Sequence, residues 1–326
     1  MIPLSVLDLI PVREGSGVGE ALAEAGKLAA AAEAAGYNRF WVAEHHATEG
    51  VAGGAVSVAL AHIGHCTSTI RIGAGGIMLP NHNPFVIAEQ FGALDGLFPG
   101  RIDLGLGRAP GAAPILFQAL RKDPARAAEY FPNDVVELRA LLTGDIDLPI
   151  RATPGFGAKV ELWMLGSSLF GAQLAAQLGL PYAFASHFAP DHLDAALETY
   201  RTQFRPSAAL AEPHAMAAMT VICAETDEEA GLLASSQDQA FVRLRSGDPG
   251  KLPPPVPGYR DTLPLSSKAM LEHLGQARAV GSPDTVAARL DRFVERTQAD
   301  EIIVSGATYD PAARRRSLEL TMKAVS

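Results

Sequence analysis

Ile70-Arg71-Ile72-Gly73-Ala74-Gly75-Gly76-Ile77-Met78-Leu79, the segment Phe85 to Leu97, and Ile102-Asp103-Leu104-Gly105-Leu106-Gly107 together decide the fold. The first and last are short and largely apolar on both faces, as parallel strands buried beneath helices require. The middle one is long enough for a helix and stops before Pro99-Gly100, a turn pair. Working back toward the N-terminus, Ala55 to His65 reads as a helix and Arg39 to Ala43 as a strand. Before them, apolar residues from Val18 recur at intervals of three and four until Gly36, a natural helix stop. Ile2 to Leu9 opens the series as a strand.

Toward the C-terminus the alternation continues with longer interruptions. An Ala-, Pro- and Gly-rich loop over 108–125 precedes a helix from Asp134 to Leu142. Strands follow at Val160–Leu165, Tyr182–Ser186 and Ala215–Cys223, separated by helices at Phe170–Leu178 and His192–Phe204. A helix from Glu228 to Arg245 leads into a stretch with six prolines between Asp248 and Leu265, which regular helix or central strand excludes. Ser282-Pro283-Asp284 opens another helix, Glu301–Val304 is the last strand, and Pro311 starts the last helix. Eight strands, each followed by a helix, are what a (β/α)8 TIM barrel demands; a doubly wound sheet would have fewer. The expectation is one α/β barrel domain over 1–326, with insertions at strand-end loops: 108–125 and the Pro-rich 247–265.

Composition narrows the function. The chain has 326 residues, 48% apolar and 19% charged, enough to bury a large core and too apolar for disorder. Twenty-seven basic against thirty-six acidic residues give a net charge of −9, which disfavours nucleic acid and anionic membrane as partners. Two cysteines, Cys66 and Cys223, supply neither a disulfide framework nor a zinc ribbon. With no basic-then-apolar leader and no long apolar run, the expected location is cytoplasmic.

In such a barrel the chemistry lies where strands end, so the search reduces to eight junctions. Ala43-Glu44-His45-His46, Leu79-Pro80-Asn81-His82-Asn83-Pro84, Gly107-Arg108, Gly166-Ser167-Ser168 and Ser186-His187-Phe188 carry the polar residues. The opposite junctions, such as Gly36-Tyr37-Asn38 and Gly179-Leu180-Pro181, read as turns and little else. Strand alternation lets only one of His45 and His46 face the mouth, and imidazole is the usual proton shuttle near neutral pH. A metal reading would recruit His62 and His65, but no HExxH pattern supports it. A loop-capping role for these polar groups stays open. Ser167-Ser168 before a helix suits a phosphate or simple N-capping. Two glycine-rich runs, Gly15 to Glu20 and Gly105 to Pro110, lack the last glycine of a dinucleotide fingerprint. None of the six lysines ends a strand, which weakens an aldolase reading. Glycines within a strand, as at Gly73-Ala74-Gly75-Gly76, mark a bulge, a close ligand approach or tight packing.

Phe40 to His46, Gly73 to Pro80, Asn83-Pro84, Gly100 to Arg108 and Leu165 to Ser168 resemble the bacterial luciferase-like flavin-dependent monooxygenases, in particular the MsnO8-type branch. The resemblance is detailed to about residue 190 and holds in outline beyond. It implies a TIM barrel using reduced FMN, supplied by a separate NAD(P)H:flavin reductase, and O2 to oxidise a small apolar, aldehyde-like substrate. His45 corresponds to the family's catalytic base, and Gly75-Gly76 to a non-prolyl cis peptide beside the flavin ring. Arg108, Ser167 and Ser168 match the cofactor region, and His187 is a further pocket candidate. A homodimer is implied as well. Where luciferase has a reactive cysteine this chain has Gly107, and Ala112-Ala113 replace a hydroxyl and a carboxylate found in relatives. That departure motivates the alternative of a non-catalytic flavin-binding protein; a deazaflavin F420-dependent oxidoreductase is another.

Overall fold

All the named strands run parallel. The computed structural model describes residues 2–108, 115–144 and 149–325. Its strands are β1 (Leu4–Asp8), β2 (Arg39–Val42), β3 (Arg71–Met78), β4 (Ile102–Gly107), β5 (Glu161–Gly166), β6 (Tyr182–Phe184), β7 (Ala215–Cys223), β8 (Arg278–Gly281) and β9 (Glu301–Ser305). Each of β1 to β6 pairs with the next, β6 pairs with β7, β7 with β9, and β9 with β1. Eight parallel strands thus close into the expected (β/α)8 barrel. The helices ringing it are α1 (Val18–Ala35), α2 (Val56–Cys66), α3 (Pro84–Leu97), α4 (Ile115–Leu120), α5 (Pro124–Thr143), α6 (Leu169–Leu178), α7 (Leu193–Gln203), α8 (Asp227–Arg245), α9 (Leu265–Leu274), α10 (Pro283–Thr297) and α11 (Pro311–Val325).

Alternation of side chains makes two cores. Outward-facing residues such as Phe40, Ile72, Leu104 and Ile302 meet the helices in the larger cluster. Inward-facing Leu7, Trp41, Trp163, Met216 and Ile303 fill the barrel itself, the two indoles meeting edge to face with centroids 5.2 Å apart. Room for Trp41 comes from β3: a Cβ on Gly73 would lie 3.0 Å from its ring, and one on Gly75 equally close. The barrel is therefore plugged below its mouth.

The structure adds elements that the pattern hid. β8 pairs with the second half of β7, at Thr220 to Cys223, beyond the point where β6 leaves that edge. It is a ninth strand outside the closed ring. The 108–125 segment is not loop throughout, since α4 occupies part of it and α5 begins at Pro124, capped by the Asp123 side chain. The Pro-rich segment packs on the loop after β1 and on α8. Leu252 exchanges backbone hydrogen bonds with Val12 and Glu14, and Gln239 donates to the Pro254 carbonyl at 2.9 Å. No helix of the described residues is long and apolar enough to cross a membrane.

Candidate active site at the carboxyl rim

The strand ends that the sequence singled out do converge, in two groups. The first starts at Glu44, which follows β2 and is fully buried. Its carboxylate accepts the backbone N–H of Met78 at 3.0 Å and the Asn81 amide at 3.3 Å. The imidazole Nε2 of His46 lies 2.6 Å from Glu44 Oε1, and that of His82 lies 2.9 Å from both carboxylate oxygens. Burial alone would raise the Glu44 pKa, but hydrogen bonds from His82, His46 and Met78 outweigh it, and the group stays below the usual carboxylate range. The junction after β2 is thereby pinned to the junction after β3.

His45 takes no hydrogen bond from this cluster. Its Nδ1 is enclosed and has no hydrogen-bond partner among the described residues; the same holds for Nδ1 of His187, after β6. β2 and β6 lie four strands apart in a ring of eight, so they face each other across the barrel. The two rings are nevertheless close enough for His45 to disfavour the charge on His187. Burial, reinforced by His45, lowers His187 to a pKa of about 4, and burial lowers His45 as well. Each of the two imidazoles thus keeps a buried Nδ1 without a partner, and burial disfavours its charged form.

The second group lies where β4 and β5 end. The Arg108 guanidinium stacks 4.0 Å from the ring centroid of Phe170, in the first turn of α6. Ser168 is the N-cap residue of α6, yet its hydroxyl makes no capping bond. Thus the start of α6 offers unpaired amides, two serine hydroxyls and an adjacent cation, a set suited to an anion. Ala112-Ala113, in the loop following Arg108, lie outside the described residues. The Gly75–Gly76 peptide is cis, as the resemblance implied, and a Cβ on Gly76 would fall 2.5 Å from the Gly105 carbonyl oxygen.

Two features were not read from sequence. Glu44 and His82 carry no signal by themselves, because their pairing spans two strands and only their closeness in space reveals it. The opposite end of the barrel is not made of turns alone. There Asp103 accepts from Arg39 at 2.8 Å and from the Trp41 indole at 2.9 Å, and pairs with Arg71. Arg39 also reaches Glu301 and Glu161, each at 3.2 Å, and Asn38 donates to Glu301. These charges sit at the first or second residues of their strands, where the sequence reading looked only at the turns before them. His62 and His65 lie on α2, with His62 3.9 Å from Cys66 Sγ, and take no part in the rim.

Two imidazoles with unpartnered Nδ1 atoms and a helix start suited to an anion follow strand ends of a closed parallel barrel. The luciferase-like monooxygenase family model matches residues 2–301, and the chain belongs to that family. A luciferase-like monooxygenase of Escherichia coli K12 is 47% identical over 322 residues, covering 98% of this chain and 96% of the relative. The N-acetyl-S-alkylcysteine monooxygenase of Bacillus subtilis is 35% identical, over 76% of this chain and 75% of its own length. Among solved structures, apo-MsnO8 superposes with a TM-score of 0.89 at 36% identity, covering 99% of this chain and 98% of that one. More distant structures share the fold alone. They include the oxygenating constituent of 3,6-diketocamphane monooxygenase in complex with FMN, at 19% identity and TM-score 0.75. An F420-dependent secondary alcohol dehydrogenase is a second, at 14% and 0.74.

Proposed function

We propose that this protein is an FMN-dependent monooxygenase that uses reduced flavin and O2 to oxidise a small apolar substrate. The observation that carries the proposal is that His45 and His187, after β2 and β6, each keep an enclosed Nδ1 without a partner, while Arg108 stacks on Phe170 at the start of α6, where the Ser168 hydroxyl makes no capping bond. Two enclosed ring nitrogens without partners, and a helix start whose hydroxyls are unused, fit a ligand with a polar ring and an anionic tail. Ser167, Ser168 and Arg108 would hold the phosphate, with His45, His187 and the Gly75-Gly76 backbone beside the ring. The flavin, when bound in its reduced form, supplies the electrons that activate O2.

The chain's own residues do the rest. Trp41, Trp163 and Leu7 close the barrel beneath the mouth and keep water from reaching the reacting atoms from below. His45, neutral because of burial, accepts or returns a proton at Nδ1. Its backbone is anchored by Glu44, next in the chain. The B. subtilis relative's activity widens the substrates worth testing from aldehydes to S-alkyl thioethers. A separate flavin reductase, a homodimer and a cytoplasmic setting belong to the same proposal. F420-dependent hydride transfer is the second reading, supported by the fold shared with the alcohol dehydrogenase.

The test is O2 uptake and substrate conversion with chemically reduced FMN over a panel of aldehydes and thioethers. His45→Ala is expected to lower turnover on the order of 100-fold or more while FMN still binds. Arg108→Ala is expected to weaken FMN, with little effect on riboflavin, which lacks the phosphate. Tighter binding of F420 than of FMN would favour the second reading. FMN binding without turnover of any substrate would leave a flavin-binding protein.

A further inference from the structure

The cluster around Glu44 contains more than the anchoring of His45 requires. Three donor atoms, one each from Glu44, His46 and His82, lie within 4.8 Å of one another, and among the described residues this is the one such group of His, Cys, Asp or Glu. They come from two neighbouring strand ends and converge from different directions, the imidazole rings being tilted 48° to each other with centroids 6.4 Å apart. Glu44 Oε1 faces both Nε2 atoms, at 2.6 and 2.9 Å. Its Oε2 is held from behind by the Met78 N–H.

We propose that Glu44, His46 and His82 bind one divalent transition-metal ion of the zinc type. Two imidazole nitrogens and one carboxylate oxygen are a common donor set for such ions, with further positions left for water or substrate. Bonds of about 2.0–2.2 Å place tetrahedral donors about 3.3–3.6 Å apart, so the edges of 2.6 and 2.9 Å have to open by roughly 0.4–1.0 Å. To bind an ion, both imidazoles must present Nε2 as a lone pair. The surroundings are those of a built site. The carboxylate is fully buried and fixed by backbone and amide donors, the outer support that ligating carboxylates need. The histidine side chains retain 22% and 28% exposure, which gives an ion a path in. Lys122, the nearby cation, is engaged by the Pro80 and His82 carbonyls. A bound ion would clamp the end of β2 to the end of β3 next to His45.

Metal-free full-length protein is titrated with Zn2+ by calorimetry and with Co2+ by visible absorption, with no flavin present. The expected result is one ion per chain with a dissociation constant at or below about 10 µM, and a rise in melting temperature with added zinc. His46→Ala and His82→Ala should each weaken binding by about 10-fold or more, while Cys66→Ser, which disables the surface His62–Cys66 pair, should leave it unchanged. The Co2+ spectrum of the unaltered protein decides the matter even if a variant misfolds. Bands of a nitrogen- and oxygen-ligated ion support the site. A sulfur-to-cobalt charge-transfer band, binding that survives in both histidine variants, or no stoichiometric binding would overturn it.

Discussion

His187 shows what a single buried ring contributes. Burial first, and His45 second, hold its pKa near 4 against an ordinary 6.5. Between those values the unfolded chain binds a proton that the folded chain refuses, so stability rises with pH across that window. It is fully present above 6.5 and falls as the pH drops toward 4. Urea unfolding of His187→Gln over this range should give a slope against pH shallower by up to one proton, and an unchanged slope would mean that the ring is not shielded. Gly76 makes the complementary point about space. A methyl group there would meet the Gly105 backbone, which cannot swing aside, so Gly76→Ala should cost about 1–3 kcal/mol or more. Gly19, within α1 and with no heavy atom near its missing Cβ, should instead gain slightly on the same change. Paired urea midpoints of the two variants check the contrast.

Among the elements, α1 and β3 are joined by one side chain. Glu33, in the last turn of α1, accepts the backbone N–H groups of Ser68 and Ile70 at 2.9 and 2.8 Å, and that of Thr69 between them. Partial burial pushes its pKa up, but the three amides push harder and bring it to about 2. The carboxylate therefore stabilises the fold above about 4.5, and the contribution fades as the pH falls toward 2. Glu33→Gln should cost about 1 kcal/mol at neutral pH and nothing at the acid end, measured by thermal melts at both. Most of the element order was legible because strand and helix periods differ so plainly: β4 and β7 were read with both ends in place. The misses have physical reasons. β8 is four residues long and begins with Arg278, so no apolar run announces it; it exists because β7 outlasts β6 and offers a free edge. α5 contains Pro132, which sequence rules treat as a stop, yet the helix continues through it. Single strand ends could be located one at a time, as with His45 after β2 and Arg108 after β4. Contacts between ends, such as Glu44 with His82, could not, since nothing in linear spacing records which loops the closed barrel brings together.

The molecule as a whole divides its charged groups between two rims. At the amino rim Asp103 is fully buried among Arg39, Arg71 and the Trp41 indole; burial raises its pKa, and the two arginines only partly offset this. Arg39 is shared with Glu301 and Glu161, so β2, β4, β5 and β9 are tied at their N-terminal ends. Removing one partner of a buried pair strands the others, and Asp103→Asn should lose about 3–5 kcal/mol in denaturant unfolding. The carboxyl rim lies beyond the Trp41–Trp163 layer, with rigid strands between. If stability is concentrated at one rim and chemistry at the other, the folded fraction of Asp103→Asn should bind FMN and turn over as the unaltered chain does, while His45→Ala should lose turnover with its unfolding midpoint unmoved. Measuring both quantities on both variants makes the division testable. A fall in turnover per folded molecule of Asp103→Asn would show that the indole layer transmits strain between the rims rather than insulating them.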